Sequence, residues 1–110
     1  MEHLTIKQIM ELMPGLFIPE KAGNLNTLVQ YRFSGIQPGE WLMRISDGVC
    51  TVQEGVTEQP KITIDADSQS YIDMIEGRLN PMMALMQKKI RILGDQVLAM
   101  KFTSFFKKLV

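Results

Sequence analysis

Between Leu28 and Glu54 the apolar side chains stop recurring every three or four residues and begin to recur every second one. Val29, Tyr31 and Phe33 alternate with Gln30 and Arg32. After the turn at Gln37-Pro38-Gly39, Trp41, Met43 and Ile45 alternate with Leu42, Arg44 and Ser46. A period of two puts one set of side chains on one face of a strand, so both segments read as half-buried strands. Asp47-Gly48 tolerates the positive φ angles of a two-residue hairpin, and Val49 to Glu54 returns as a third strand. Strands joined this closely lie antiparallel, with one face wet and the other in need of an apolar cover.

The cover is written on either side of them. Thr5 followed by Gln8 is a capping-box signature, and Ile6, Ile9, Met10 and Met13 continue at helical spacing until Pro14-Gly15, where the helix should end. Leu16, Phe17 and Ile18 precede Pro19 and require apolar surroundings, either the core or a bilayer. Gly55 to Pro60 is a polar connection, and Ile62 and Ile64 mark a fourth strand. Asp67 then caps a helix with Tyr71, Ile72, Met74 and Ile75 as its stripe, ending at Gly77. Asn80-Pro81 opens a short helix to Met86, and Lys89 to Leu93 reads as a fifth strand. Gly94-Asp95 starts a last helix in which Leu98, Phe102, Phe105, Phe106 and Leu109 recur at three- and four-residue steps. The expectation is an α+β fold: one domain over residues 1–110, with a five-stranded, mostly antiparallel sheet and helices packed on one face.

Composition narrows the function classes. With 45% hydrophobic residues in 110, the chain is folded rather than disordered. One cysteine, Cys50, rules out an intrachain disulfide framework. Without a signal-peptide pattern or a run of about twenty apolar residues, a soluble, cytoplasmic protein is expected. The charges cancel overall but not locally. Residues 1–76 hold five basic and eleven acidic groups, whereas residues 77–110 hold seven basic and one acidic. Lys88, Lys89, Arg91, Lys101, Lys107 and Lys108 could meet anionic membranes, carboxylates or coenzyme A phosphates, or could simply keep the surface solvated.

Chemistry is sparsely encoded. His3 stands alone near the terminus, Cys50 lies in a predicted strand without a nearby base, and Asp65 and Asp67, between strand and helix, read as capping groups. No phosphate loop, metal-ligand spacing or nucleophile elbow occurs, so neither enzyme activity nor a cofactor or metal is expected. The aromatic residues of the basic final third fall at core spacing, which argues against nucleic-acid binding.

Five of the nine methionines, Met74, Met82, Met83, Met86 and Met100, lie in that final third. Unbranched thioethers pack adaptably around varied apolar partners. The surrounding string is Gly77-Arg78-Leu79-Asn80-Pro81, then Met86-Gln87-Lys88-Lys89-Ile90-Arg91-Ile92-Leu93-Gly94-Asp95, then Leu98-Ala99-Met100-Lys101. It resembles the sterol carrier protein type 2 (SCP-2) lipid-binding family, whose members carry a G-x-L-N-P … M/F-Q-G-K … G-D/N … L-A-M-K run. The resemblance extends more loosely over residues 9–109, through Met13-Pro14, Phe17-x-Pro19-Glu20-Lys21-Ala22 and Tyr31-Arg32-Phe33-Ser34-Gly35. Lys88 stands where the family usually has glycine. The Ser-Lys-Leu-type peroxisomal terminus of some relatives is absent, so that address is not expected.

The resemblance implies a hydrophobic tunnel between sheet and helices and a non-enzymatic role in binding or transferring a fatty acid, fatty acyl-CoA, phospholipid or sterol-like ligand. Expected lining residues are Trp41 and Met43 from the sheet, Met74 and Ile75 from the Asp67-capped helix, and Met82, Met83 and Met86 from the methionine cluster. The last helix would add Leu98, Phe102, Phe105 and Phe106. Gln87 is a candidate polar group at the pocket, and Phe17 and Ile18 a candidate membrane-facing lip. An anionic membrane surface would be a transient partner. The alternative is an accessory or scaffold domain presenting a lipid-like intermediate, such as an isoprenoid quinone precursor, to partner enzymes; a third possibility is a groove that is collapsed or serves only for self-association.

Overall fold

Each strand in the structure, a computed structural model describing residues 3–108, is held where the period-two pattern puts it. Helix α1 (Ile6–Leu16) and the single turn α2 (Pro19–Ala22) precede strands β1 (Thr27–Ser34), β2 (Gly39–Ser46), β3 (Val49–Glu54) and β4 (Ile62–Asp67). Helices α3 (Ser68–Ile75) and α4 (Pro81–Met86), strand β5 (Ile90–Gly94), helix α5 (Gln96–Phe102) and a 3-10 turn at Thr103–Phe105 follow. The five strands form one sheet in the order β3-β2-β1-β4-β5. Its pairs are antiparallel except β1 with β4, which run parallel.

Val29, Tyr31, Met43, Ile45, Ile62 and Ala66 face inward and are buried, with the helices on that side alone. The opposite face carries the ion pairs Arg32–Glu40, at 3.3 Å, and Arg91–Asp65, at 2.9 Å. The parallel pair requires the link from β3 to β4 to cross the sheet, and Gln30 secures it. Its side-chain amide donates to the carbonyls of Trp41 and Gly55, each at 3.0 Å, while its Oε1 accepts from the Thr57 N–H at 2.8 Å. Gln30 is buried for that reason although it lies on the outward face.

The helix starts are where the capping residues indicate. Thr5 and Gln8 form the reciprocal box, and Asp67, Asn80 and Asp95 accept from the first-turn amides of α3, α4 and α5. The ends are less predictable. Helix α1 continues through Pro14 to Leu16; a proline in the last turn forfeits only the bond to the carbonyl four residues back. The last helix stops at Phe102, short of the expected stripe, because Phe106 is extended and bridges Phe17. Leu109 lies outside the described residues. Asp65 caps nothing and pairs with Arg91 instead.

Candidate functional site

A cavity of about 600 Å³ lies between the sheet and the helices on the β4–β5 side. Its floor is Tyr31 of β1, Ile62 and Ile64 of β4, and Ile90 and Ile92 of β5. Helix α3 contributes Tyr71, Met74 and Ile75, and α1 contributes Met13 and Leu16. Leu85 of α4, Ala99 and Phe102 of α5, and Phe106 complete the apolar wall, while Asn80, Thr103, Lys107 and Lys108 add polar groups to it. Short helices leave this space open: α4 has six residues and sinks only Ala84 fully, and α5 has seven and buries only Phe102.

The C-terminal strand-like segment fastens one side. Phe17 pairs with Phe106, the Ile18 N–H donates to the Phe105 carbonyl at 2.7 Å, and the Lys107 N–H donates to the Leu16 carbonyl at 2.8 Å. The Phe17 and Phe106 rings lie 5.6 Å apart, and Phe106 meets Phe102 edge-on at 5.3 Å. Of residues 16–18, which the sequence allowed either core or bilayer, Leu16 and Phe17 therefore pack in the core. Phe17 is buried rather than a projecting lip, and Ile18 beside it is half-buried.

Of the expected lining residues, the structure brings Met74, Ile75, Phe102 and Phe106 together around the cavity. Trp41 and Met43 are buried in β2, toward the β3 edge that α1 covers, and do not line the cavity. Phe105 is buried away from the cavity wall and Leu98 is half-buried against the core. Met82, Met83 and Met86 are exposed, Met82 and Met86 at 65% and 71%, because so short a helix buries only Ala84; Leu85, itself exposed, edges the cavity. Gln87 is exposed at the end of α4, where its backbone N–H caps the Met83 carbonyl at 2.9 Å.

The buried polar side chains among the lining residues are instead Tyr31 and Tyr71, read from the sequence only as apolar stripe positions. They are the chain's two tyrosines. A phenol on an inward stripe must find a partner when buried, and that signal was available in the sequence.

Elsewhere the titratable groups serve structure. Burial pushes the Cys50 thiol up to about 11, leaving it protonated and unreactive at neutral pH. His3 Nδ1 sits 3.1 Å from Glu76. No cluster of His, Cys, Asp and Glu among the described residues could hold a metal ion, and no helix among them is long and apolar enough to cross a membrane.

A profile of the SCP-2 sterol transfer family matches residues 8–107. The chain belongs to that family. Among curated relatives, the hydroxysteroid dehydrogenase-like protein 2 of Xenopus tropicalis is 27% identical over 97 residues, covering 87% of this chain but 23% of that protein. The SCP-2 fold is also seen in palmitated sterol carrier protein 2 like 2 from Aedes aegypti, with a TM-score of 0.72, 23% identity, and coverage of 92% of this chain and 93% of that one. The stereoselective sec-alkylsulfatase Pisa1 from a Pseudomonas species contains it too, with a TM-score of 0.80, 16% identity, and coverage of 97% of this chain and 17% of that one. The arrangement of this chain is thus the SCP-2 α+β fold, a mixed sheet with helices on one face and a hydrophobic cavity between the layers.

Proposed function

We propose that this SCP-2 domain binds one long-chain lipid in the cavity and exchanges it with membranes, without reacting on it. The apolar space between α3, α4, α5 and the β4–β5 half of the sheet carries the reading. It is large enough for a fatty-acyl chain, within the roughly 300–1,000 Å³ of ordinary ligand sites. Family membership supports a general lipid-binding and transfer role, and the palmitated Aedes protein makes a fatty-acyl group the first ligand to test.

Contact with an anionic bilayer is supported by the outward side of the same helices. Met82, Met83, Met86, Val97 and Met100 are exposed, with Lys88, Lys89 and Lys101 also exposed on the same stretch of chain. Apolar insertion and basic attraction act together at a lipid surface.

Each methylene withdrawn from water contributes about 0.8 kcal/mol, so affinity for saturated fatty acids should rise roughly fourfold per added carbon until the cavity is full. Native mass spectrometry of the purified protein, then calorimetry across chain lengths, measures both occupancy and slope. Lipid-free protein with no affinity at any length would overturn the reading.

A second reading has its own observation. The fold occupies only 23% of the curated relative and 17% of the sulfatase, so it is used as a module beside other domains. In that role it would present an apolar substrate to a partner enzyme. Co-purification of one specific enzyme with a single lipid, rather than a mixture of lipids, would favour it.

A further inference from the structure

Both outer strands of the sheet have a free side, and the molecule treats them differently. The Asp95 N–H donates to the Lys61 carbonyl and the Asp67 N–H to the Lys89 carbonyl, so by alternation Ile90, Ile92 and Gly94 of β5 turn their backbone groups away from β4. The Gln96 side chain donates to the Ile92 and Gly94 carbonyls, at 3.3 and 3.2 Å, and so occupies that edge. Nothing comparable guards β3. The Gly55 N–H donates to the Glu40 carbonyl at 3.0 Å, so Val49, Thr51 and Gln53 face β2 while the N–H and C=O groups of Cys50, Val52 and Glu54 point off the sheet. Helix α1 packs on β3, yet no hydrogen bond from a described residue reaches those groups. The strand has no proline, lysine or arginine, and its register with β2 is free of bulges. Val49 at its start and Val56 just past its end are 57% and 61% exposed.

We propose that β3 is the edge to which a second copy of this chain adds, antiparallel, to make one continuous sheet. The free groups fix the register. With a two-fold axis at Val52, Val52 meets Val52 and Cys50 meets Glu54 of the second copy, and every outward N–H and C=O of the strand finds a partner. A shift by two residues leaves one end unpaired. On the solvent face Thr51 lies opposite Gln53 of the second copy, so no charge faces a charge, and Val49 lies opposite Gly55, whose missing side chain leaves open space. This self-match about Val52 assigns the edge to a second copy rather than to a strand of another protein. The axis stands perpendicular to the sheet, so both helical layers share one face and the two cavities lie at the far ends, on the β4–β5 sides. A single strand edge buries less than the roughly 1,200 Å² of a standard stable interface, so the dimer is weak, with a Kd of about 0.1 mM.

Sedimentation equilibrium of the full chain between about 10 μM and about 1 mM should show the mean mass rising from one chain toward two. Amide exchange followed by NMR reads the register: Cys50, Val52 and Glu54 gain protection at the higher concentration, whereas Thr51 and Gln53, already bonded to β2, do not change. Two double variants at exposed positions test the pairing independently. Thr51→Glu with Gln53→Glu, and Thr51→Lys with Gln53→Lys, set like charges directly opposite across the axis, and each should associate about tenfold more weakly than wild type. Mixed together they set opposite charges face to face and should associate at least as tightly as wild type. Circular dichroism checks that each variant is folded. A single-chain mass throughout the range overturns the proposal. Protection gained at Ile90, Ile92 and Gly94, or in α4 and α5, in place of β3 also overturns it, as does a mixture of folded variants that associates no better than either alone. The lipid-binding reading stands apart from all of these outcomes, because the cavity lies away from this edge.

Discussion

Lys88 has φ +59°, the left-handed region that glycine enters freely. The position follows α4 and leads into β5, and the bond from the Lys89 N–H to the Ala84 carbonyl, at 3.0 Å, closes the turn around it. Family likeness anticipates a glycine here, and the turn has kept the geometry that glycine would allow rather than being rebuilt. A side chain in this region costs about 1–2 kcal/mol, partly offset by the greater freedom glycine has when unfolded. Lys88→Gly should therefore stabilise the protein by about 0.5–1 kcal/mol, read as a higher urea midpoint with an unchanged slope. At this scale the sequence was clear about backbone demands and poor about side-chain company. Asp47, Asn80 and Asp95 announce their turns and caps through local chemistry. Tyr31 and Trp41 pair across neighbouring strands on the same inward face, yet of the two only Tyr31 lines the cavity, and no local pattern separates a filled interior from a hollow one.

At the scale of elements, the strands were legible because their pattern is local, whereas the last turn of the chain depends on a distant partner. Phe102, Phe105 and Phe106 have helical spacing, but only Phe102 lies in the helix, since Phe106 gains an antiparallel bridge and ring contacts by leaving it. The segment around Phe17 forms the other half of this clasp. Truncating a half-buried phenylalanine there should cost about 2 kcal/mol, below the value for a fully buried ring. Phe106→Ala should also release bound lipid faster than wild type, because it opens one wall of the cavity. Thermal melting and stopped-flow release of a fluorescent fatty acid measure the two effects; unchanged release with the expected loss of stability would confine the clasp to folding.

For the molecule as a whole, the uneven charge distribution is stitched across its two regions by a small ion cluster. Arg78 binds Asp73 at 2.8 Å and Glu76 at 2.6 Å, and the Leu4 N–H donates to Glu76 at 3.0 Å, joining the segment before α1 to the end of α3. The Arg78 guanidinium and the Gln69 amide hold Asp73 below the usual carboxylate range, and the Leu4 amide, then Arg78, do the same for Glu76. Carboxylates lowered on folding stabilise the native state above their unfolded values and lose that contribution as pH falls through the folded ones. The melting temperature should accordingly hold steady near neutrality and decline below about pH 4. Arg78→Ala should flatten that decline.

The outward turn of the methionines gives them one more property. Met10 and Met43 are sealed in the core, whereas Met82, Met86 and Met100 present their sulfur-bearing side chains to solvent, Met100 at 83% exposure. Peroxide would convert these outer thioethers to sulfoxides first, making that surface polar while leaving the fold beneath it intact.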